Sequence, residues 1–300
     1  MAQNRAALAG RSPLKVVVLN VAGGADFHAI AARLRRPPLD DAGALMLCEA
    51  SWRMPRHRWV EFAPELAAAL GMSFVFLPSF GRAMPDGQVR AIGNALLCAQ
   101  PLEDFRAVSL ARAPHKAQPR RLIGRHQGLL ATISVAGGRL QLGVVHLERL
   151  WDPAGRARQM EDFLGAIGRE APAIIGGDLN TTTVDMDRRW QMARACAAIL
   201  AQPRRFRHPQ PHEPLFERLA AHDFSVEGAN VPGAPTFTMA RLIPPLWRPK
   251  LDWIAARAIA PVAGSAAVVP ARTSIIGRRV SDHDFVICEF RLEMARGDGV

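Results

Sequence analysis

Short apolar runs of the β-strand type recur along the whole chain, and they constrain the fold more than any other feature. Each run is rich in Val, Ile and Leu and is bounded by Gly, Pro or polar residues, which is typical of buried strands. Between some of them, residues 26–36, 55–70, 153–169 and 185–200 carry apolar residues at three- and four-residue spacing, which predicts helices. The predicted strands are 16–21, 44–48, 73–77, 95–98, 129–135, 140–145, 173–175, 251–254 and 285–290.

The connections between these runs indicate a mixed fold. Residues 129–135 and 139–145 meet at Ala136-Gly137-Gly138, which predicts a β-hairpin. Other runs are joined through helices, so the sequence favours a layered α/β fold with mixed sheets. Long Pro- and Arg-rich segments at 78–90, 111–126, 202–214 and 241–250 are predicted loops. We expect one domain over residues 1–300, with flexible tails at about 1–13 and 293–300.

Composition narrows the class of protein. Hydrophobic residues make up 49% of the chain and charged residues 22%, which predicts a packed globular core. The four cysteines are scattered without a CxxC pair, which argues against a zinc knuckle or a disulfide framework and favours a reducing, cytoplasmic setting. No apolar run has the length of a signal peptide or a membrane span, and a peripheral membrane role stays open.

The charge has two interpretations. A net charge of +11 fits a polyanionic partner such as nucleic acid, a phosphoinositide or an anionic membrane. It also fits a mutational bias toward arginine, since the chain has only three lysines. Residues 106–139 carry seven Arg or Lys and no acidic residue, which predicts either a surface that attracts a polyanion or a solvated basic loop.

Polar and acidic residues stand at or near the ends of several predicted strands, where a rigid sheet can hold side chains at a cleft. Each has a structural alternative: a turn residue, a first solvated residue, a core histidine or a helix cap. A carboxylate between Leu251 and Trp253 needs a partner, because burial of an unpaired charge is costly. The set is Asn20, Glu49, His146, Asp178, Asn180, Asp252, Asp282 and His283.

Together these residue types suit phosphoryl hydrolysis. Carboxylates are hard oxygen ligands for magnesium or manganese, which neutralise phosphate charge and stabilise a leaving oxygen. A carboxylate can orient and deprotonate a water molecule, and histidines and an asparagine can donate hydrogen bonds to the transition state.

The order of the motifs resembles the endonuclease/exonuclease/phosphatase superfamily, the deoxyribonuclease-I-like fold. The resemblance runs from residue 16 to residue 288, and it also includes Arg156-Ala-Arg-Gln159 and Pro235-Thr236-Phe237. Each element alone is weak, but the combination is specific. The motifs are LNVAGG with Asn20, LCEA with Glu49, GNALL with Asn94, VVHL with His146, GGDLN with Asp178 and Asn180, LDWI with Asp252, and SDH with Asp282 and His283.

The resemblance implies a four-layer αββα sandwich of two mixed β-sheets flanked by helices, with the site at one edge. It implies Mg²⁺ or Mn²⁺ as the cofactor. Glu49 is then the principal metal ligand, with Asn20 and Asp282 in or near the metal shell, and Asp178 aligns or activates water.

The same resemblance implies contacts to the substrate. Asn180 and His146 contact the phosphate, and Asp252 orients His283, which stabilises or protonates the developing transition state. Asn94 and Arg125 are further predicted substrate-binding residues.

Two departures from the family pattern concern the substrate. The chain has no tyrosine, so Trp253 stands where LDY-type motifs have one, and the His146 strand reads VVHL in place of the commoner NTHL. These departures leave the hydrolytic residues in place and count against a DNA-repair-type assignment.

We therefore expect a metal-dependent phosphodiesterase that acts as a monomer, with nucleic acid slightly preferred as the substrate. One alternative is a lipid or small-molecule phosphodiesterase or phosphatase, for which the apolar residues Leu242, Ile243, Leu246 and Trp247, among Arg241, Arg248 and Lys250, form a potential membrane contact. These residues can equally pack beneath their loop. A second alternative is a non-catalytic binding module that uses the basic surface.

Overall fold

Two mixed β-sheets lie face to face in the computed structural model, which describes residues 13–24, 26–53, 60–85, 89–112, 123–136, 138–185, 189–238, 244–273 and 277–292. The first sheet has the order β11-β12-β1-β2-β4-β3-β6 and the second the order β10-β9-β8-β7-β5. The strands are β1 (Leu14–Asn20), β2 (Ala44–Trp52), β3 (Ser73–Ala83), β4 (Val89–Cys98), β5 (Glu103–Ser109), β6 (Ile123–Gly124), β7 (Gln127–Val135), β8 (Gly138–Val144), β9 (Ala173–Asp178), β10 (Asp252–Arg257), β11 (Ala267–Val269) and β12 (Phe285–Phe290).

The described residues form the helices α1 (Phe27–Arg33), α2 (Phe62–Leu70), α3 (Pro153–Leu164), α4 (Arg189–Ala201), α5 (Pro203–Arg207) and α6 (Leu215–Ala221). Helices α1 and α2 cover the outer face of the first sheet, and α3 and α6 cover that of the second. Helix α3 begins where its N-cap Asp152 accepts a hydrogen bond from the Gly155 amide, with Pro153 in the first turn. Short 3₁₀ turns occur at Ala22–Gly24, Gln210–His212 and Pro245–Trp247.

Alternation along β1 shows how the layers form. Val16 and Val18 face the second sheet and join the core between the sheets, whereas Val17 and Leu19 face α1 and α2 and join an outer core. A third core lies between the second sheet and α3 and α6, around Phe163. Three apolar interfaces therefore separate four layers, and the predicted four-layer sandwich of mixed sheets is confirmed.

Each sheet contains one parallel pair, β1 with β2 and β8 with β9, and the other pairs are antiparallel. The predicted hairpin is confirmed, since β7 pairs with β8 up to Val135 opposite Gly138. Strands β5, β6 and β11 were not predicted. Strand β5 reads EDFRAVS and is mostly exposed, so it lacks the apolar run that marked the others.

The predicted loops at 78–90 and 202–214 are partly wrong. Residues 78–83 continue β3, because they pair with β4 past an irregularity between Pro78 and Phe80. Helix α5 and a 3₁₀ turn occupy much of 202–214. Residues 55–59 of one predicted helix, most of the predicted tails and residues 113–122 and 137 of the basic segment lie outside the described residues. Among the described residues, no helix combines the length and the apolar character needed to cross a membrane.

Candidate active site

A cavity of about 510 Å³ opens beside the ends of β1 and β9, and six of the predicted site residues line it. Two others, Asn20 and Asp252, lie directly behind this lining and contact it through hydrogen bonds. The six lining residues are Glu49, His146, Asp178, Asn180, Asp282 and His283.

Asp178 is placed by the two glycines that precede it in β9. Gly177 has φ +150°, and a Cβ there would overlap the Val145 carbonyl oxygen. A Cβ at Gly176 would meet Val18 and Met46 of the facing sheet. The glycines let β9 approach both neighbours closely, and this brings the Asp178 carboxylate to the centre of the cluster.

The Asp178 carboxylate is 2% exposed and has partners on several sides. Its Oδ2 accepts a hydrogen bond from Asn20 Nδ2 at 3.0 Å, and its Oδ1 accepts one from the Asn180 amide at 3.0 Å. His146 Nε2 lies 3.6 Å and His283 Nε2 3.7 Å from the same Oδ2. One carboxylate oxygen therefore has an amide donor and two imidazoles around it.

Glu49 reaches the cavity through an irregular backbone. The pairing of β2 with β4 shifts register between Leu47 and Ala50, and Glu49 has φ 57°. Such bulges redirect side chains, and a positive φ at a non-glycine residue is strained. The Asn20 Nδ2 group bridges the two acids, since it also donates to Glu49 Oε1 at 3.2 Å, while Asn20 Oδ1 accepts from the Ala22 amide.

His283 and Asp252 form a buried pair. His283 Nδ1 lies 2.7 Å from Asp252 Oδ2, and Thr236 Oγ1 accepts hydrogen bonds from the amides of Leu251 and Asp252. Asp252 Oδ1 has no hydrogen-bond partner among the described residues. Burial lowers the pKa of His283, but the charges of Asp252 and Asp178 and the hydrogen bond outweigh it and raise the pKa to about 10.

The segment before β12 is tied to the rest of the site. Ser281 Oγ donates to the Asn20 carbonyl at 2.6 Å and accepts from the His283 amide. The Asp282 carbonyl accepts from the Thr238 amide, and its exposed side chain lines the cavity. The Phe237 ring lies 4.8 Å from the His283 ring. The 235–238 stretch therefore holds both partners of the buried pair.

The two remaining predicted residues lie apart from the cavity lining. Asn94 is 1% exposed, and its Nδ2 donates to the Gln127 carbonyl, which ties the first sheet to the second. Arg125 is exposed, and its Nη1 donates to Ser109 Oγ at 3.3 Å. A contact from either residue to a substrate stays a prediction.

Sequence reasoning missed a second histidine–carboxylate pair in the cavity wall. His126 Nε2 lies 2.7 Å from Glu148 Oε2, the ring packs edge-on against Phe80, and His146 lies beyond it at a ring distance of 6.5 Å. Glu148 follows His146 by two residues, and this spacing was the available signal. His126 lies in the basic segment 106–139, where no motif marked it as a site residue.

The donor set fits a hard divalent cation. Glu49 and Asp282 line the cavity, and in the described part of the chain neither forms an ion pair with an arginine or lysine. Asp178, Asp252 and His283 form a second group, with ligand atoms within 4.8 Å of one another. This second group is fully buried, and the short contact between Asp252 and His283 already engages two of its members.

Comparison with known structures gives the same architecture. An endonuclease/exonuclease/phosphatase from Beutenbergia cavernae aligns with a TM-score of 0.63 and 20% identity over 94% of this chain and 72% of that one. The catalytic domain of human Nocturnin, with a bound sulfate anion, aligns with a TM-score of 0.58 and 17% identity over 93% of both chains. At these identities the similarity shows the fold alone.

A third alignment is with D. rerio TDP2 complexed with a single-strand DNA product, with a TM-score of 0.55 and 18% identity over 94% of this chain and 100% of that one. No curated protein matches the chain in sequence. The sequence profile of the endonuclease/exonuclease/phosphatase family matches residues 17–283, which span nearly all the elements described above. The chain therefore belongs to the endonuclease/exonuclease/phosphatase family.

Proposed function

We propose that this chain is a divalent-metal-dependent hydrolase of phosphodiesters. Membership of the family supports a hydrolase. The observation that carries the proposal is the Asp178 carboxylate, whose Oδ2 has the Asn20 amide and the imidazoles of His146 and His283 around it, all beside Glu49. This arrangement offers anionic ligands, a base and cationic donors at one end of a cavity.

Glu49 and Asp282 are the proposed ligands of Mg²⁺ or Mn²⁺, because both are carboxylate residues that line the cavity. Asn20 lies beside Glu49 and faces it with a donor, so its proposed role is to hold the two acids at a fixed separation. A bound divalent cation supplies charge neutralisation at the phosphate and at the leaving oxygen.

Asp178 is the proposed group that orients water for attack. Its Oδ1 is occupied by the Asn180 amide, so Oδ2 is the atom that faces the imidazoles and the cavity. The hydrogen bond from Asn20 holds Oδ2 in place, so the carboxylate keeps one orientation toward the water that it is proposed to orient.

His283 is the proposed cationic donor to the transition state. Its pKa of about 10 keeps the ring protonated near neutral pH, and Asp252 holds Nδ1 so that Nε2 faces the cavity side. His146 and Asn180 line the same cavity and are proposed to contact the phosphate oxygens. This division of roles parallels other histidine–carboxylate pairs, in which the acid orients the ring.

Nucleic acid is the preferred substrate class in this proposal. The net charge of +11 favours a polyanion, and the exposed Arg125 immediately precedes His126 of the cavity wall. An arginine at this position is suited to a phosphate next to the scissile one. We propose Arg125 as a substrate contact on this basis.

A lipid phosphodiester is the second candidate. Leu246 is 47% exposed at the 3₁₀ turn Pro245–Trp247, which leads to Pro249 of the cavity wall. An exposed apolar residue near a hydrolytic cavity suits an interface with lipid. Trp247 of the same prediction is partly buried in this turn, and Leu242 and Ile243 lie outside the described residues.

A substrate panel tests the proposal. Bis-para-nitrophenyl phosphate, para-nitrophenyl phosphate, plasmid DNA, single-stranded RNA and sphingomyelin vesicles are incubated with Mg²⁺, Mn²⁺ or EDTA. We expect metal-dependent cleavage that Asp178→Asn abolishes, with nucleic acid cleaved best. Preferential cleavage of sphingomyelin, with co-sedimentation on vesicles, would support the lipid candidate.

Failure of the folded, metal-loaded protein to cleave any phosphoester would reject the enzyme in favour of the binding module.

We also propose a cytoplasmic protein, because all four cysteines are described and none is in a disulfide, as is usual in a reducing compartment.

A further inference from the structure

A second cavity, of about 400 Å³, has a lining dominated by arginine. The segment before β12 contributes to both cavities, since Asp284 lines this one while Asp282 and His283 line the catalytic cavity. We call it the arginine pocket. Its charged residues are Arg33, Arg36, Arg248, Arg272, Arg279 and Asp284.

Distant parts of the chain bring these arginines together. Arg33 is the last residue of α1, and Arg36 follows in the turn after it. Arg272 and Arg279 face each other across an isolated antiparallel bridge. The convergence therefore depends on tertiary structure, since the chain separates α1 from the bridge by more than two hundred residues.

The arginines are only partly neutralised by the protein. Arg279 Nη2 pairs with Asp284 Oδ1 at 2.6 Å. Asp284 is the single acidic residue among the described residues of the lining. Arg33 uses Nη1 to bond the carbonyls of Arg36 and Pro37, which satisfies a donor without cancelling its charge. Within the described ranges, the Arg272 guanidinium has no hydrogen bond or ion pair.

Arg33 and Arg36 repel each other inside the pocket, since both are positively charged. Burial lowers the pKa of Arg33, and the positive charge of Arg36 lowers it further. Like charges held at short range are destabilising unless an anion lies between them. The fixed fork of a guanidinium matches two oxygens of a phosphate or of a carboxylate. A phosphate carries more charge and more oxygens than a carboxylate or chloride, so several converging arginines favour phosphate.

We propose that the arginine pocket binds a phosphate group, as a site separate from the catalytic cavity. Its volume lies within the range of about 300–1,000 Å³ that small-ligand sites occupy. Thr273 adds a polar residue to the lining beside the arginines. The phosphate belongs either to a free phosphorylated compound or to a nucleic-acid strand.

The test measures phosphate binding by the full-length chain in EDTA. Without a divalent cation the carboxylates of the catalytic cavity repel phosphate, so binding there does not interfere. Inorganic phosphate is titrated calorimetrically into the wild type, Arg272→Gln, Arg36→Gln and Arg272→Lys. Arg218→Gln is the control, because it removes one exposed arginine charge outside the pocket.

We expect Arg272→Gln and Arg36→Gln to weaken phosphate binding by about tenfold or more. Arg272→Lys keeps the positive charge but loses the guanidinium fork, so its affinity for phosphate should lie between that of the glutamine variants and that of the wild type. Arg218→Gln leaves affinity unchanged. The melting temperature without phosphate shows which variants are folded, and the lysine variant keeps the test decisive if a glutamine variant unfolds.

A short single-stranded DNA oligonucleotide identifies the source of the phosphate. If the glutamine variants weaken oligonucleotide binding in parallel with phosphate binding, the phosphate belongs to a strand. If they weaken only phosphate binding, the ligand is a small phosphorylated compound. Equal phosphate affinity in the wild type and in both folded glutamine variants, or no binding by the wild type, overturns the proposal.

Discussion

Asp252 Oδ2 and His283 Nδ1 lie 2.7 Å apart in a buried pair that joins the first residue of β10 to the loop before β12. The pair connects the two sheets, since β10 belongs to the second sheet and β12 to the first. It also fixes which nitrogen of His283 is directed toward Asp178. Orientation of one ring therefore depends on the correct packing of both sheets.

Asp252→Asn should reduce activity while the fold persists. The amide keeps the shape but loses the charge that raises the pKa of His283, so that pKa falls from about 10. We expect kcat to fall by about 100-fold or more, as in other losses of an orienting acid. Hydrolysis of bis-para-nitrophenyl phosphate measures kcat, and NMR titration of the His283 ring in EDTA measures the pKa. An unchanged pKa would contradict the prediction.

Glu49→Gln should weaken divalent-metal binding. Glu49 and Asp178 share the Asn20 amide, so a bound cation relieves repulsion between two acids. We expect Mg²⁺ to raise the melting temperature of the wild type, and the variant to require at least about tenfold more Mg²⁺ for the same shift. Glu217→Gln, on the exposed face of α6, is the control. Identical Mg²⁺ responses in all three proteins would exclude Glu49 as a ligand.

Glu213→Gln should destabilise the protein strongly. Glu213 pairs with Arg156 at 2.5 Å, both side chains are fully buried, and Glu213 Oε1 also accepts from the Thr183 amide beyond Asn180. Loss of one partner leaves a buried, unpaired charge, which costs about 3–5 kcal/mol. Urea denaturation measures this loss, and Arg156→Met combined with Glu213→Leu should recover much of it. A loss below about 1 kcal/mol would refute the prediction.

Lys250 should make stability depend on pH in the alkaline range. Its Nζ is buried without a hydrogen-bond partner among the described residues, 4.5 Å from the Trp253 ring centroid. Burial lowers its pKa from 10.5 to about 8, although Asp252 opposes the shift. Between pH 8 and pH 10.5 Lys250 is protonated in the unfolded chain but largely neutral in the folded protein. The contribution of Lys250 to the free energy of unfolding therefore rises with pH in this range.

The comparison with Lys250→Met isolates that contribution. Below pH 8 Lys250 is protonated in both the folded and the unfolded protein, and the folded protein bears the full free-energy cost of the buried charge. The Lys250→Met variant lacks this charge, so it should be the more stable protein there. We expect its advantage to shrink by about 3 kcal/mol as the pH rises from about 7 to about 10. Urea denaturation of both proteins across this range measures the difference. A constant difference would show that Lys250 titrates normally.

Most of the strands and the choice of candidate site residues follow from local sequence. The apolar runs around Val16 and Ile174 are buried on both faces, so hydrophobicity alone marks them. Asn20, Glu49 and Asp178 stand at or beside the ends of such runs, and the motif order predicted their grouping. Strand β5 was missed because its exposed residues carry no such signal.

The tertiary structure decided the distances, the partners and the second pocket. His126 meets Glu148, and Arg33 shares a cavity with Arg272, only because separate elements pack together. A local pattern records which residues are apolar or charged along a few turns or strands. It does not record which distant side chains meet, since long-range packing of the two sheets sets that relation. The sequence by itself therefore determined the layers and the chemical set, and the packing of the sheets determined the geometry in which that set acts.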